Sequence, residues 1–168
     1  MLSTQVSLVP TVSEDLDSIL AIEKSPENSS YIGQWKRPQH EAAIADSNMA
    51  HFKVALAERT VGYVILIGIT NPDKNIQLKR IAIQEKGSGF GRQAIRLVKE
   101  MVFDRFDAHR FWLDVMIHNT RAYTLYLSEG FVEEGILRES LKQQDRFIDL
   151  RVMSILEPEY RIDDRSCM

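Results

Sequence analysis

Cysteine is almost absent from this sequence, because Cys167 is its only representative. A lone cysteine has no partner for an internal disulfide, so a disulfide-stabilised fold is excluded and a reducing, cytoplasmic location is expected. Cys167 stands next to the last residue of a polar segment. We therefore expect a solvated side chain there and not a nucleophile.

Long apolar runs and an excess of basic residues are also missing. The longest apolar stretch, VGYVILIGI, falls well short of the roughly 20 residues that span a bilayer and predicts a buried strand. The first residues lack a basic segment followed by an apolar run, so neither a signal peptide nor a membrane partner is expected. With 21 basic and 24 acidic residues the formal net charge is −3, which argues against a nucleic-acid partner.

Histidine is equally sparse, and its four residues show no paired spacing of the kind that holds a metal ion. We therefore expect no metal site. These absences leave a soluble domain whose partner is a small molecule or another protein.

The order of the periodic segments predicts one α/β domain over residues 1–168, because this length suits one domain and is short for two. Alternating apolar residues predict strands, and apolar residues three or four positions apart predict helices. The predicted strands are QVSLVPT, a hairpin over HFKVALAERTVGYVILIGIT, IQLKRIAIQ, FWLDVMIH, FVEEGILRES and RFIDLRVMSIL. The predicted helices are EDLDSILAIEK, HEAAIADSN, a long helix ending near Phe106, and NTRAYTLYLSEG, with residues 157–168 as a polar tail. This order favours helices packed on a central mixed sheet.

Two polar residues are predicted to cap helices. Thr11, with Glu14 three residues later, has the spacing of a capping box at the first helix. Asn119 stands directly before the last predicted helix, and Gly130 directly after it.

Three alternating glycines, Gly87, Gly89 and Gly91, precede the long helix. Glycine lets a backbone approach a ligand closely, and the N–H groups at a helix N-terminus attract phosphate. A P-loop is excluded because no Lys-Ser or Lys-Thr follows in register, and a dinucleotide-binding fingerprint fails because Arg92 occupies its third glycine position. A glycine-rich turn without a ligand remains an alternative, although one glycine suffices for a turn.

The segment KGSGFG, after the strand LKRIAI, resembles the Q/R-x-x-G-x-G/A loop of the GNAT superfamily of acyl-CoA-dependent N-acetyltransferases. The later segment LDVMIHNTRAYTLYLSEGF is similar to that superfamily's second signature, in a form close to ribosomal-protein N-terminal and small-amine acetyltransferases. The matching residues are Asp114, Asn119, Ala122, Tyr126, Gly130 and Phe131. The two motifs cover residues 77–135, and the N-terminal third matches only in its order of elements.

This resemblance implies a mostly antiparallel sheet with helices on both faces, and acetyl-CoA as the cosubstrate. Pantetheine would lie between two splayed strands, against the backbone of Ile81, Ala82 and Ile83. The pyrophosphate would bind the backbone N–H groups of the glycine loop. That loop comprises Lys86, Gly87, Ser88, Gly89, Phe90, Gly91 and Arg92. Asn119 would contact the pantetheine arm, and Arg92 could add positive charge.

The resemblance also implies the chemistry, which is direct attack of a primary amine on acetyl-CoA in a ternary complex. Tyr126 matches the tyrosine that protonates the departing thiolate, although a purely structural core tyrosine is the alternative. The usual basic glutamate is replaced by Gln77, which cannot take a proton. Asp114 is then the candidate base, and an ion pair with Arg80 or Lys79, or a water chain as the base, stays open.

The acceptor site is predicted in the loop from Ser25 to Gln39. Glu23, Glu27, Tyr31 and Trp35 could contact a cationic amine through charge and cation–π interactions, or could be solvated carboxylates and packed aromatics. A small molecule such as a polyamine, an aminoglycoside or an amino acid, or a protein N-terminus, remains possible, and so does a homodimer. The rival functions are a non-catalytic acyl-CoA-binding regulatory domain and a mononucleotide-binding module.

Overall fold

The structure, a computed structural model, describes residues 4–166, and side chains only as far as residue 162. Cys167 therefore lies outside the described residues. The helices are α1 (Leu16–Lys24), α2 (Pro26–Ser29), α3 (Arg37–Ala45), α4 (Phe90–Glu100), α5 (Thr120–Ser128) and α6 (Glu157–Ser166). One turn of 3-10 helix, Ser13–Asp15, leads into α1, and a π-helical turn, Met101–Arg105, extends α4.

Seven strands form one sheet in the order β1-β2-β3-β4-β5-β7-β6. They are β1 (Ser7–Pro10), β2 (Met49–Leu56), β3 (Arg59–Ile67), β4 (Asn75–Ile83), β5 (Arg110–Met116), β6 (Val132–Gln143) and β7 (Arg146–Leu156). Every neighbouring pair is antiparallel except β4 and β5, which are parallel. The predicted α/β fold with a mixed, mostly antiparallel sheet is therefore confirmed.

The sheet carries helices on both faces, because β3 is buried on both of its sides. Val64 and Leu66 share one apolar core with the buried residues of α4, and Tyr63 and Ile65 share a second core with α1. Successive strand residues point to opposite faces, so this alternation places α1 and α4 on opposite sides of the sheet. The central strand β3 thereby separates two apolar cores, one covered by α4 and the other by α1.

Two local predictions change in the structure. Thr11 does not cap the first helix, because its hydroxyl is buried 2.9 Å from His51 Nδ1. The carboxylate of Asp15 instead accepts from the N–H of Val12 at 3.0 Å. The segment expected to be a polar tail forms α6, and the ring of Tyr160 stacks 4.7 Å from that of Phe103. Within the described part of the chain, no helix is both long and apolar enough to span a membrane.

Candidate active site

The predicted gap between β4 and β5 is present. These strands pair only at Asn75 with Arg110, Ile76 with Phe111 and Gln77 with Trp112. Beyond those pairs they separate, and a groove of about 1110 Å³ opens between them. Because alternate backbone groups of β4 point away from β3, this separation leaves hydrogen-bonding groups facing the groove.

The glycine loop lies at one end of the groove, where α4 begins. Gly87 and Gly89 have φ values of +78° and +82°, a left-handed conformation that other residues adopt only at a cost. A Cβ atom on Gly89 would meet nothing within 4 Å, so the space in front of this glycine is open. No side chain caps the N-terminus of α4, which makes its first backbone N–H groups suited to bind an anion.

Charged side chains surround the loop in an arrangement that differs partly from the sequence expectation. Arg92 is held by the Glu129 carboxylate and by the Ser128 hydroxyl, the latter at 2.9 Å. Arg121 lines the groove, and its Nη2 atom lies 3.8 Å from the position that a Cβ on Gly87 would take. Sequence reasoning missed Arg121, although its position in the first turn after Asn119 was a usable signal. Arg121 is thus a further cation available to a phosphate group at this loop.

Tyr126 lines the groove from α5, the helix that Asn119 caps. The Asn119 side chain accepts a hydrogen bond from the N–H of Ala122 at 3.2 Å, which confirms the predicted cap. Tyr126 is only 7% exposed and packs against the ring of Phe131 at 5.5 Å. Burial raises the pKa of the Tyr126 hydroxyl, and the nearby charge of Asp114 raises it further. The hydroxyl therefore keeps its proton at neutral pH and is able to donate it.

Asp114 projects into the same groove from β5, opposite to the buried side chains of Leu113 and Val115. The amide of Gln77 donates to Asp114 Oδ2 at 3.3 Å, so the residue in the usual base position contacts the alternative base. The carboxylate is open to solvent, yet the surrounding groove walls remove much of its water. This burial raises the pKa of Asp114, although the charge of Lys79 opposes the shift. A raised carboxylate pKa favours proton acceptance near neutral pH.

The acceptor loop supplies two of its three predicted residues to the groove. Glu27 and Tyr31 line it, and the Tyr31 ring lies 5.7 Å from that of His118. Trp35 is not among the lining residues. Its ring packs beneath the guanidinium of Arg80 at 4.4 Å.

A buried polar cluster on the other face of the sheet holds this end of the loop. Glu23 is fully buried and accepts hydrogen bonds from Tyr63 at 2.5 Å, Arg80 at 3.0 Å and the N–H of Trp35 at 3.0 Å. Burial raises the pKa of Glu23, but the groups that hydrogen-bond to its carboxylate outweigh burial and leave the pKa below its ordinary value. Because Arg80 is committed to Glu23, it is not the ion-pair partner that was considered for Asp114. The prediction that Glu23 contacts the amine is therefore wrong, because its buried carboxylate is held by groups far apart in the chain.

His40 and His51 extend the cluster away from the groove. Nε2 of His40 lies 3.1 Å from the Glu23 carboxylate, and Nδ1 of His40 lies 2.9 Å from Nε2 of His51. Burial lowers the pKa of His51 to about 4, and the charge of His40 contributes to this shift. His51 is therefore a neutral buried ring at pH 7.

The structure thus brings most of the predicted site residues to one groove. The lining residues among them are Ile81, Ile83, Lys86, Gly87, Gly89, Gly91, Arg92, Asp114, Asn119, Tyr126, Glu27 and Tyr31. Ala82 and Phe90 are buried in the apolar cores, and Ser88 is exposed beside the loop. Among residues 4–166, no three or more His, Cys, Asp or Glu side chains gather in a way that could hold a metal ion.

Comparison with known proteins identifies the family. The model of the acetyltransferase (GNAT) domain matches residues 5–132. Spermidine N(1)-acetyltransferase of Vibrio cholerae is 33% identical over 119 residues, which are 70% of this chain and 69% of that protein. A probable N-acetyltransferase of Bacillus subtilis is 27% identical over 132 residues, or 76% of this chain and 73% of that protein.

Solved structures agree with the sequence comparison. Spermidine N-acetyltransferase from Vibrio cholerae in complex with CoA and spermine superposes with a TM-score of 0.85 at 27% identity, over 95% of this chain and 99% of that one. A dodecameric structure of the Vibrio cholerae enzyme superposes with a TM-score of 0.80 at 26% identity, over 94% of this chain and 97% of that one. The chain belongs to the GNAT family and is an acetyl-CoA-dependent N-acetyltransferase.

Proposed function

We propose that this enzyme acetylates a primary amino group of a polyamine-like small molecule, by direct attack in a ternary complex with Tyr126 as the general acid. The observation that carries the proposal is the position of Tyr126. It is a buried, protonated hydroxyl that shares one groove with a carboxylate of raised pKa and with an uncapped, glycine-lined helix N-terminus.

Acetyl-CoA is proposed to lie along the groove with its pyrophosphate on the glycine loop. The left-handed glycines and the first turn of α4 present N–H groups there, and Lys86 and Arg121 add positive charge. Pantetheine amides would pair with the backbone of residues 81–83, where β4 has left β5. A Vibrio cholerae relative of the same fold was solved in complex with CoA and spermine, which supports CoA as a ligand of this fold.

The proposed reaction needs a neutral amine, because only an unprotonated nitrogen has a lone pair to attack the thioester carbonyl carbon. Asp114, or water held by it, takes the amine proton, since an alkylamine with a pKa near 10 arrives mostly protonated. The C–N bond then forms, the nitrogen releases its second proton to solvent, and the C–S bond breaks. The sulfur leaves with the bond electrons and receives a proton from Tyr126, which solvent afterwards restores.

A polyamine is the proposed acceptor for two reasons. The groove is lined by the carboxylate of Glu27 and by the aromatic rings of Tyr31 and His118, which suit an extended cation. The Vibrio cholerae relative, at 33% identity, is a spermidine N(1)-acetyltransferase. The Gln143 amide donates to the carbonyl of Ser30 at 3.0 Å and so joins the acceptor loop to the β6–β7 hairpin. A peptide N-terminus is a less favoured acceptor, because it would need a wider entrance to the groove than this contact leaves.

The test is thiol release from acetyl-CoA with a panel of amines. The panel contains spermidine, spermine, a short diamine, an aminoglycoside, an amino acid and a peptide with a free N-terminus. Spermidine or spermine should give the highest kcat/KM. A clear preference for the peptide would overturn the acceptor class. CoA binding without thiol release on any amine would favour the non-catalytic regulatory alternative.

Assembly into a homo-oligomer also belongs to the proposal. The sheet ends at β6, whose Val132, Ile136 and Leu137 are about half exposed at 53%, 47% and 46%. One relative forms a dodecamer. Light scattering should therefore give a mass above the 19.3 kDa of one chain, and a monomer at micromolar concentration would contradict this part.

A further inference from the structure

The side chain of Asn28 is a buried amide at the junction of the acceptor loop and the sheet. It is 3% exposed and lies on α2, one residue after Glu27. Its Nδ2 group donates to the carbonyl of Ile22 at 3.1 Å, the hydroxyl of Ser25 at 3.2 Å and the carbonyl of Ile83 at 3.2 Å. The last bond reaches the end of β4, so one amide fixes α2 against the strand that borders the groove.

The other end of the same amide contacts the glycine loop. Lys86 Nζ donates to Asn28 Oδ1 at 2.6 Å, across 58 positions of sequence. Lys86 is the residue directly before Gly87, and it lines the groove. Burial lowers the pKa of the Lys86 ammonium, the charge of Arg121 lowers it further, and Glu27 opposes them. The ammonium therefore stands between the acceptor loop and the proposed phosphate site.

We infer that Asn28 and Lys86 couple the two substrates, because ordering of the glycine loop by CoA is passed through this contact to the acceptor loop. This inference rests on the proposed binding of CoA and an amine in one groove. Asn28 is a positioning residue in it, since it touches neither the thioester nor the amine that is acetylated. The contact directly joins a side chain of α2 to a side chain of the glycine loop.

The physical basis is that the glycine loop and the acceptor loop lose conformational freedom together. Gly87 and Gly89 give the free loop conformational freedom, which a bound pyrophosphate removes. When the glycine loop is fixed, Lys86 is fixed with it. Lys86 in turn holds the side chain of Asn28, and Asn28 stabilises the turn that follows it. The carbonyl of Asn28 accepts from the N–H groups of Tyr31 and Ile32 at 2.9 and 3.2 Å, so the order extends to an acceptor-site residue. Coupling of this kind is reciprocal, and a bound amine should raise the affinity for CoA by the same factor.

Hydrogen exchange with CoA as the only added ligand tests the inference without knowledge of the amine. In the wild type, saturating CoA should slow exchange of the backbone amides in residues 28–33 by about fivefold or more. Two variants remove the contact from opposite sides. Lys86→Met removes the ammonium and keeps the stem, whereas Asn28→Ala removes the amide and leaves the lysine charge for the phosphate. In both variants the slowing at residues 28–33 should fall below about twofold, while slowing at the start of α4 reports that CoA is bound.

The controls separate coupling from a purely structural role. Lys24→Met removes an exposed lysine at the end of the preceding helix α1 and should keep the wild-type response. A structural role alone would speed exchange in the variants with and without CoA by the same factor, and that result overturns the inference. A wild-type response in either CoA-bound variant also overturns it. If one variant fails to fold or to bind CoA, the other decides.

The outcome is distinguishable from that of the proposed function. A variant-sensitive response in an enzyme that releases no thiol with any amine would retain the coupling and overturn the acceptor. Normal catalysis on polyamines, with the wild-type hydrogen-exchange response to CoA in both variants, would retain the acceptor and overturn the coupling. As a second readout, spermidine should tighten CoA binding about fivefold or more in the wild type and not in Asn28→Ala, by calorimetry with a non-reacting CoA.

Discussion

Replacement of Gly89 separates CoA binding from folding. Gly89 is the N-cap of α4 with φ +82° and ψ −1°, and no atom lies within 4 Å of the position of an added Cβ. A new side chain therefore meets no protein atom in the free enzyme. It would occupy the open space in front of the helix, where the pyrophosphate is proposed to bind.

The two effects have different expected magnitudes. A left-handed conformation costs an L-residue roughly 1–2 kcal/mol, so Gly89→Val should lower the free energy of unfolding by about that amount. Asn tolerates this conformation, so Gly89→Asn should cost less. Each charge-assisted hydrogen bond is worth about 1.5–3 kcal/mol, and loss of one or two bonds to the pyrophosphate corresponds to a rise in Kd of about 10- to 10⁴-fold.

Calorimetry with CoA and denaturant unfolding measure the two quantities on the same variants. Both Gly89 variants should bind CoA weakly, although only Gly89→Val is clearly destabilised. Gly135→Val is the matched control, because that glycine also has no atom within 4 Å of an added Cβ and does not line the groove. Unchanged CoA affinity in a folded Gly89→Val protein would refute the placement of the pyrophosphate.

Four further outcomes are expected. Tyr126→Phe should lower kcat by roughly 10²–10³ at every pH and leave the Kd of CoA nearly unchanged, and full activity would make this tyrosine structural. Asp114→Asn should lower kcat most at low pH and recover at high pH, where the amine deprotonates unaided; parallel pH–rate profiles with the wild type would leave water as the base. Trp35→Ala should raise the KM of the amine more than that of acetyl-CoA, because Trp35 supports Arg80 and the acceptor loop, and the reverse order in steady-state kinetics would contradict this. The pKa of His51 is about 4 in the folded state and 6.5 in the unfolded chain, so between these pH values the unfolded chain binds one more proton. The free energy of unfolding should therefore fall by about 3 kcal/mol as pH drops from 6.5 to 4. Denaturation at a series of pH values should show this loss in the wild type and not in His51→Gln.

Features that depend on adjacent residues were predictable. The alternating glycines, the strand before them and the helix after them occupy one continuous segment, and the structure confirms this order. The cap by Asn119 needs only the N–H three residues later, and it is also confirmed. The cap by Thr11 satisfied the same local rule but was wrong, because in the folded chain the Thr11 hydroxyl is buried beside Nδ1 of His51, 40 positions away. A local pattern is therefore reliable only where no distant partner competes for the same side chain.

The choice of ionic partners could not be predicted. Arg92 was expected to serve the phosphate and is held by Glu129, which is 37 positions away. Arg80 was considered for Asp114 and is held by Glu23, which is 57 positions away. With 21 basic and 24 acidic residues the sequence allows many such pairs, and charge alone does not rank them.

The sequence by itself determined the class of this protein, because its two signatures and the alternation of strands and helices are properties of contiguous residues. Only the tertiary structure decided which side chains share the groove. The separation of β4 from β5 beyond Gln77, the burial of Glu23 and the contact between Asn28 and Lys86 all depend on the strand order and register of the sheet. The physical reason is that burial and charge pairing act through distances of a few ångströms, and for residues far apart in the chain the fold alone sets those distances.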